Sequence, residues 1–590
     1  MASASASASS VQPKFTLTEN GAVALDTSGN EIVDYFMMYT RTLTKEQNYQ
    51  FIEKCWAINP QKTVAIIFNG RDRLKGKKEK TVSNQAMLWL RDNKPYTYMN
   101  NIITYINKYG RWKDLLYICY ENNGDGIIHK NYELTLFADK LRDDLSDLKI
   151  NEIVEAAAKE AADAADAADA ADAADAADAA DAADAADAAD AADAAEAERV
   201  ESTKVKVKSV SLCAKWAPSE NDRNDQRKHF AKKIATILYG KDDVKKMEKY
   251  RKEYIAPLRK KINIVESLMC NNEWDKINYE GVPGVASRRL HKAFSNHDSD
   301  RYCEYLAKVR GGEAKINVTG ILPHELANYY VNLRSTQDEY EENETIELQW
   351  KTIVDDVKSC GILGNSLAII DLSGSMFSAS NGSIPAQVAI SLGIITSQCC
   401  KGMFKNKFIT FSDNPELVSL IPDNLYKEYT EKGIEPSLYT CFKSLVDVDF
   451  GYNTDFVKSC DMIIKYGKEH NINDEDMPKK LFIFTDMQFD EATVDNDKES
   501  NGIETLYKTI VKMFKAADYT APKFIFWNLN SSHKQSFPVN CKTEGTAMIS
   551  GFSEQLLKIF MTYDEFKPDL IVEEILAPYL KEIFIDDSEL

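Results

Sequence analysis

Apolar positions along this chain follow two different periods, and the change between them falls near Leu348. From Ile32 to Leu148 apolar and aromatic residues recur at helical spacing, as in Tyr35, Met38 and Tyr39, or Ile102, Ile103 and Ile106. Asn59-Pro60, Asn69-Gly70 and Tyr109-Gly110 interrupt the pattern, which predicts a series of short helices. Helical stripes return over Phe230–Tyr239, Val244–Tyr254, Leu258–Cys270 and Val285–Phe294. Beyond Leu348, short apolar runs (367–371, 407–411, 417–421, 481–485, 523–529 and 546–550) alternate with amphipathic stretches (386–400, 456–470, 504–517 and 554–560). That alternation predicts buried strands separated by helices, hence a doubly wound sheet. A final helix is expected over Asp569–Ile585.

The predicted class is therefore α followed by α/β: an N-terminal helical repeat region, then a C-terminal doubly wound domain. The boundaries read as a disordered or extended N-terminus at 1–31, helical repeats at 32–154, an insertion at 155–198, further helical repeats at 199–347, and the α/β domain at 348–590. The Glu-rich run Gln337–Glu347 is read as a linker or an exposed helix between the last two. A chain of 590 residues exceeds what one core holds.

The insertion repeats Ala-Ala-Asp. A period of three on a 3.6-residue helix walks each Asp about 60° around the axis, so no apolar stripe persists. Ala favours helix while Asp spaced at i, i+3 repels itself, which predicts a partly helical, solvated spacer. Its eleven Asp and four Glu against one Lys carry about −14 of the net −20. The rest of the chain is thus only mildly acidic, and its helical middle is locally basic, so overall acidity does not exclude nucleic acid.

The chemistry-bearing stretch is Asn365–Met376, where the apolar run Leu367–Ile370 leads into Asp371, Ser373, Gly374 and Ser375. One carboxylate and two hydroxyls at i, i+2 and i+4 after a strand suit a hard cation that takes oxygen ligands. Two further loops follow in order: Thr454 before the amphipathic run 456–470 offers a hydroxyl, and Asp486 after Leu481–Thr485 offers a second carboxylate. Together, Asp371, Ser373, Ser375, Thr454 and Asp486 form the expected set for Mg²⁺ or Mn²⁺, with one position left open. Asp455 and Asp490 are assigned to capping or supporting roles. Two carboxylates about 5 Å apart repel by about 3 kcal/mol at an effective dielectric near 20, so the site should want a cation.

Two basic features carry alternative readings. Arg71–Lys80 is either a solvated loop or a phosphate-contacting edge. Lys245, Lys246, Arg251, Lys252, Arg259, Lys260, Lys261, Arg288 and Arg289 are either ordinary solvated helix faces or a nucleic-acid surface, with Tyr250, Tyr254 and Trp274 nearby for stacking. Eleven cysteines lack zinc-like pairs and read as reduced thiols. No signal peptide or transmembrane-length apolar run appears, which points to an intracellular, non-secreted protein without a membrane partner.

The Asp-x-Ser-x-Ser pattern with its two follow-on loops resembles the metal-ion-dependent adhesion site of von Willebrand factor A-like domains. With Leu212–Ser219, Tyr250-Arg251-Lys252, Pro257–Lys260, Gly312–Asn317, Pro323-His324-Glu325, Phe484–Asp490 and Gly551-Phe552-Ser553, the chain resembles a little-characterised family of giant viruses, plants and fungi. Members join a helical-repeat region to a C-terminal A-like domain. More distantly, the arrangement resembles the Ro autoantigen, whose TROVE module is a ring of helical repeats that binds RNA. No individual RNA-contacting residue carries over, and the acidic insertion departs from it. The resemblance implies a non-enzymatic binding protein: repeats that hold RNA or a protein, and a metal site that accepts a carboxylate from a partner. In a giant virus it would act in the host cytoplasm or be associated with the virion. A scaffold without nucleic-acid contact is the alternative reading. A metal-dependent phosphohydrolase is the third, disfavoured because Ser373 stands where a second Asp would be needed.

Overall fold

The structure, a computed structural model, describes residues 13–121, 127–175, 209–220, 228–334, 341–361, 363–377, 384–411, 415–445, 455–490, 506–532 and 535–590. Thr454, the N-terminal residues 1–12 and the part of the Ala/Asp tract beyond 175 lie outside them. Two compact units emerge, and neither follows chain order. The first holds Met1–Asp114, Asp125–Ile128 and Trp274–Leu590; the second holds Leu115–Gly124 and His129–Glu273.

The first unit opens with a hairpin of β1 (Phe15–Leu17) and β2 (Val23–Leu25) and is built around a six-stranded sheet. Its strands are β3 (Ser366–Ile370), β4 (Lys407–Thr410), β5 (Leu417–Ser419), β6 (Lys480–Thr485), β7 (Lys523–Asn528) and β8 (Thr546–Ser550), in the order β5-β4-β3-β6-β7-β8. All neighbours are parallel except β5, which runs antiparallel to β4 at the edge. Each strand matches an expected apolar run to within a residue or two. The runs are continuous because the sheet is covered: β3 and β8 are buried at every position. The strand order reverses between β3 and β6, the position at which open α/β sheets take their ligands.

Helices of the N-terminal hundred residues belong to this same unit. Asn59 shows how one dipeptide sets two helices: it ends Lys45–Ile58, and its side chain caps Lys62 N of Pro60–Arg71, with Pro60 in the first turn. At Asn69-Gly70 the expected break is absent, and the helix runs on to Arg71. Gly70 is there for closeness, not for a turn: a Cβ on it would lie 2.3 Å from the Tyr39 ring. At the other end of the chain, Pro568–Leu580 packs on Pro60–Arg71, and Tyr579 donates to Asp72 at 2.8 Å. The Glu589 carboxylate then accepts the backbone N–H groups of Tyr96 and Thr97, at 2.9 and 2.8 Å, capping the helix Pro95–Thr104.

The loop 71–80 divides its basic run between buried and exposed charges. Lys77 is fully buried; its ammonium donates to Phe36 O at 2.5 Å and Ser550 Oγ at 2.7 Å, over the Phe36 ring. It thereby serves the terminal carbonyls of Glu31–Met38, where a cation is favoured. Lys78 pairs with Glu554 at 2.7 Å and Arg71 with Asp114 at 2.6 Å. These three charges are met inside the chain: Lys77 and Lys78 tie the loop to β8 and the residues just after it, and Arg71 is held by Asp114.

In the second unit, Tyr132–Asp175 buries Leu134, Phe137, Ala138, Leu141 and Leu148 against Phe230–Tyr239 and Ala256–Ile262. It then continues as helix into the Ala/Asp tract, exposed from 155 to 164. The stretch read as one helix over 258–270 breaks at Asn263, which adopts a left-handed conformation and separates Ala256–Ile262 from Val265–Cys270. All eleven cysteines are free thiols, eight of them buried.

Candidate metal centre

Asp371 and Asp486 leave adjacent parallel strands at the point of reversal. Ile370 pairs with Phe484, which sets Asp371 beside Thr485, one residue short of Asp486. The Asp371 backbone N–H continues the ladder to Phe484 O at 2.9 Å. Its carboxylate accepts Ser373 N–H at 2.9 Å on one oxygen and the Thr485 hydroxyl at 2.6 Å on the other. That first bond folds the loop back on itself, and the short 3₁₀ turn Gly374–Phe377 brings Ser375 Oγ to 3.1 Å from Ser373 Oγ. Asp486 makes the same kind of turn, accepting Gln488 N–H at 3.1 Å. Four of the five expected ligands are thus described, on two neighbouring loops; Thr454 is the fifth. Asp455 caps Phe456–Glu469 through Lys458 N, in the supporting role expected of it.

Asp371 is shut off from solvent, Asp486 and Ser373 nearly so, while Ser375 is partly exposed. Burial, and after it the neighbouring Asp486 charge, push the Asp371 carboxyl up to about 7, with the Thr485 and Ser373 hydrogen bonds pulling against both. Two carboxylates crowded at one end of a sheet, flanked by two hydroxyls, make an all-oxygen donor set. Such a set fits a small hard cation, which would relieve the repulsion and favour both carboxylates in charged form.

Sequence reasoning missed two parts of this corner. Thr485 was visible only as the last residue of an apolar run; its role depends on strand register. The hairpin β1–β2 also holds the loop after β6: Thr18 Oγ1 donates to Phe489 O at 2.7 Å, and Glu19 N and Asn20 Nδ2 each bond Gln488 at 2.8 Å. Nothing local to residues 15–25 signals that partner.

The basic candidates are divided between units. Arg288 and Arg289 belong to the first, and the other seven to the second. Arg259 is spent internally, its guanidinium donating to Ala214 O and Ala217 O at 3.0 and 2.7 Å. Arg288 donates to Glu325 O at 2.7 Å, Lys252 pairs with Glu248, Lys261 with Glu155, and Lys246 donates to Lys241 O. Lys245, Arg251, Lys260 and Arg289 are exposed.

This two-part organisation, helices first and sheet after, is matched by family patterns. The chain belongs to the family described as a domain of unknown function, DUF2828, which matches residues 18–201 and 134–363. A second domain of unknown function, DUF7788, matches residues 365–576, from just before β3 into the last long helix. An uncharacterized protein of Acanthamoeba polyphaga mimivirus is 29% identical over 600 residues, spanning 97% of this chain and 89% of the relative. Among the described residues no helix is long and apolar enough to cross a membrane.

Proposed function

We propose that the protein is a non-enzymatic binding protein whose C-terminal domain is von Willebrand A-like and holds Mg²⁺ (or Mn²⁺) through Asp371, Ser373, Ser375, Asp486 and Thr454. The open metal position would take a carboxylate from a partner protein. One observation carries this reading: the two acidic residues and both serines gather where the strand order reverses, at the carboxyl ends of β3 and β6. The helical part is read as TROVE-like, with RNA as the ligand of the exposed Lys245, Arg251 and Lys260. A giant-virus relative agrees with a role in the host cytoplasm or the virion. A scaffold without RNA remains the competing assignment, and the salt dependence discussed below separates the two.

Thermal unfolding with and without metal tests the site. Millimolar Mg²⁺ should raise the wild-type Tm above its value in EDTA by mass action. Asp371→Asn should melt higher than wild type in EDTA, because about 1–3 kcal/mol of like-charge repulsion is removed, and should no longer respond to Mg²⁺. An equal Mg²⁺ response in both proteins would sink the assignment.

A further inference from the structure

Another cluster of like charge lies in the first unit, and the metal reading does not use it. Arg71, Arg73 and Lys80 come from the segment 71–80, and Arg111 from the turn before Trp112–Glu121. They act on one another electrostatically: Arg73 feels Arg111 and Arg71, while Lys80 feels Lys113, Arg71 and Arg111. Three carboxylates face these four cations, and each is already engaged. Asp114 receives the Arg71 guanidinium at 2.6 and 2.9 Å, and the Arg111 backbone N–H as well. Asp72 accepts Leu74 N, Lys75 N and the Tyr579 hydroxyl. Glu325 accepts Leu322 N and pairs with Arg288.

What remains is a surplus of positive charge with unspent donors. The Nε atoms of Arg73 and Arg111 are both closed off from solvent, and neither has a hydrogen-bond partner among the described residues. A guanidinium N–H buried without an acceptor is costly, and two in one cluster need an acceptor from outside the chain. Both side chains are only half-buried, so the cluster is reached from solvent. Beside Arg111 the backbone stands close: a Cβ on Gly320 would lie 3.1 Å from its Nη2. Burial, with the Arg111 and Arg71 charges, lowers the Arg73 guanidinium to about 10, in keeping with a missing counter-anion.

We propose that Arg73, Arg111 and Lys80 form a binding site for a phosphate group carrying two negative charges. A carboxylate supplies one charge and two oxygens. A phosphate monoester supplies about −1.5 to −2 and three acceptor oxygens, which matches the surplus and the guanidinium forks. The group comes either from a small phosphate or from the phosphorylated end of a nucleic acid.

Thermal unfolding of the full chain in EDTA, with sodium phosphate exchanged for sodium chloride at constant ionic strength, tests the site independently of the metal centre. Phosphate should raise the wild-type Tm by several degrees. The double variant Arg73→Gln/Arg111→Gln should melt at or above wild type in chloride and lose the phosphate response. Lys80→Gln, at an exposed position, should fold normally and weaken that response several-fold. Competition by a 5′-phosphorylated oligonucleotide, but not by its 5′-hydroxyl counterpart, would assign the group to a nucleic-acid end. Competition by inorganic phosphate alone would assign it to a small ligand. An equal phosphate response in wild type, Lys80→Gln and the double variant would overturn the proposal.

Discussion

The carboxyl edge of β3 and β6 and the cluster around Arg73 and Arg111 both gather like charges, but they are assembled in opposite ways. At the acidic edge, three of the groups come from one loop at i, i+2 and i+4, and the fourth from the next strand of the sheet. Among the described residues, Asp371 is met by a hydroxyl and an amide, with no cation in its hydrogen-bonding shell. The basic cluster draws on residues forty positions apart and carries its own internal pair, Arg71 with Asp114. The charges that hold the fold together are therefore paired inside the chain. The charges left over, acidic in one place and basic in the other, are where a ligand would complete the balance.

The strongest challenge to that contrast is Arg71→Ala. It leaves Asp114 fully buried without its cation and should cost about 3–5 kcal/mol, read from urea or thermal unfolding. A loss below about 1 kcal/mol would show that the pair is not what holds this corner.

A half-buried carboxylate away from both clusters sharpens the comparison through pH. Glu347 accepts the Tyr330 hydroxyl and the backbone N–H groups of Leu438 and Tyr439, and burial raises it to about 7. Because the folded form holds its proton more tightly than the unfolded form, the stability this brings is complete below about 4.5 and is lost as pH rises through 7. Glu347→Gln should flatten that fall in Tm between pH 5 and 8, leaving the part that Asp371 contributes. An unchanged profile would remove Glu347 from the account.

The smallest effect belongs to the exposed lysines of the second unit. Lys245→Gln should leave stability within about 0.5 kcal/mol. If these helices bind single-stranded RNA, it should reduce the slope of log affinity against log salt by about 0.7 in filter binding. No measurable salt-dependent RNA binding by the wild-type chain would favour the scaffold reading.

Much of the sheet was legible beforehand, because a strand buried on both faces must be apolar throughout and its ends must be marked by turn residues. The runs at 367, 407, 481, 523 and 546 show this directly. The serine-rich loop after β3 was equally legible, since its groups converge through local backbone geometry. Asn69-Gly70 misled, because a glycine that admits a neighbouring ring looks in sequence like one that makes a turn. The run Arg71–Lys80 was legible only as charge: sequence does not reveal whether water, a ligand or a carboxylate nearly five hundred residues away will meet each residue.

The alternation of apolar and polar positions thus determined by itself which segments form the six-stranded sheet, and where the acidic loops end. Only the tertiary structure decided that the first helices close on the sheet, that β1–β2 grips the loop after β6, and which lysines and arginines are spent. Periodicity is written in neighbours along the chain. Strand register, the burial of Lys77 and the balance of charge around Arg73 depend on segments that meet only after folding.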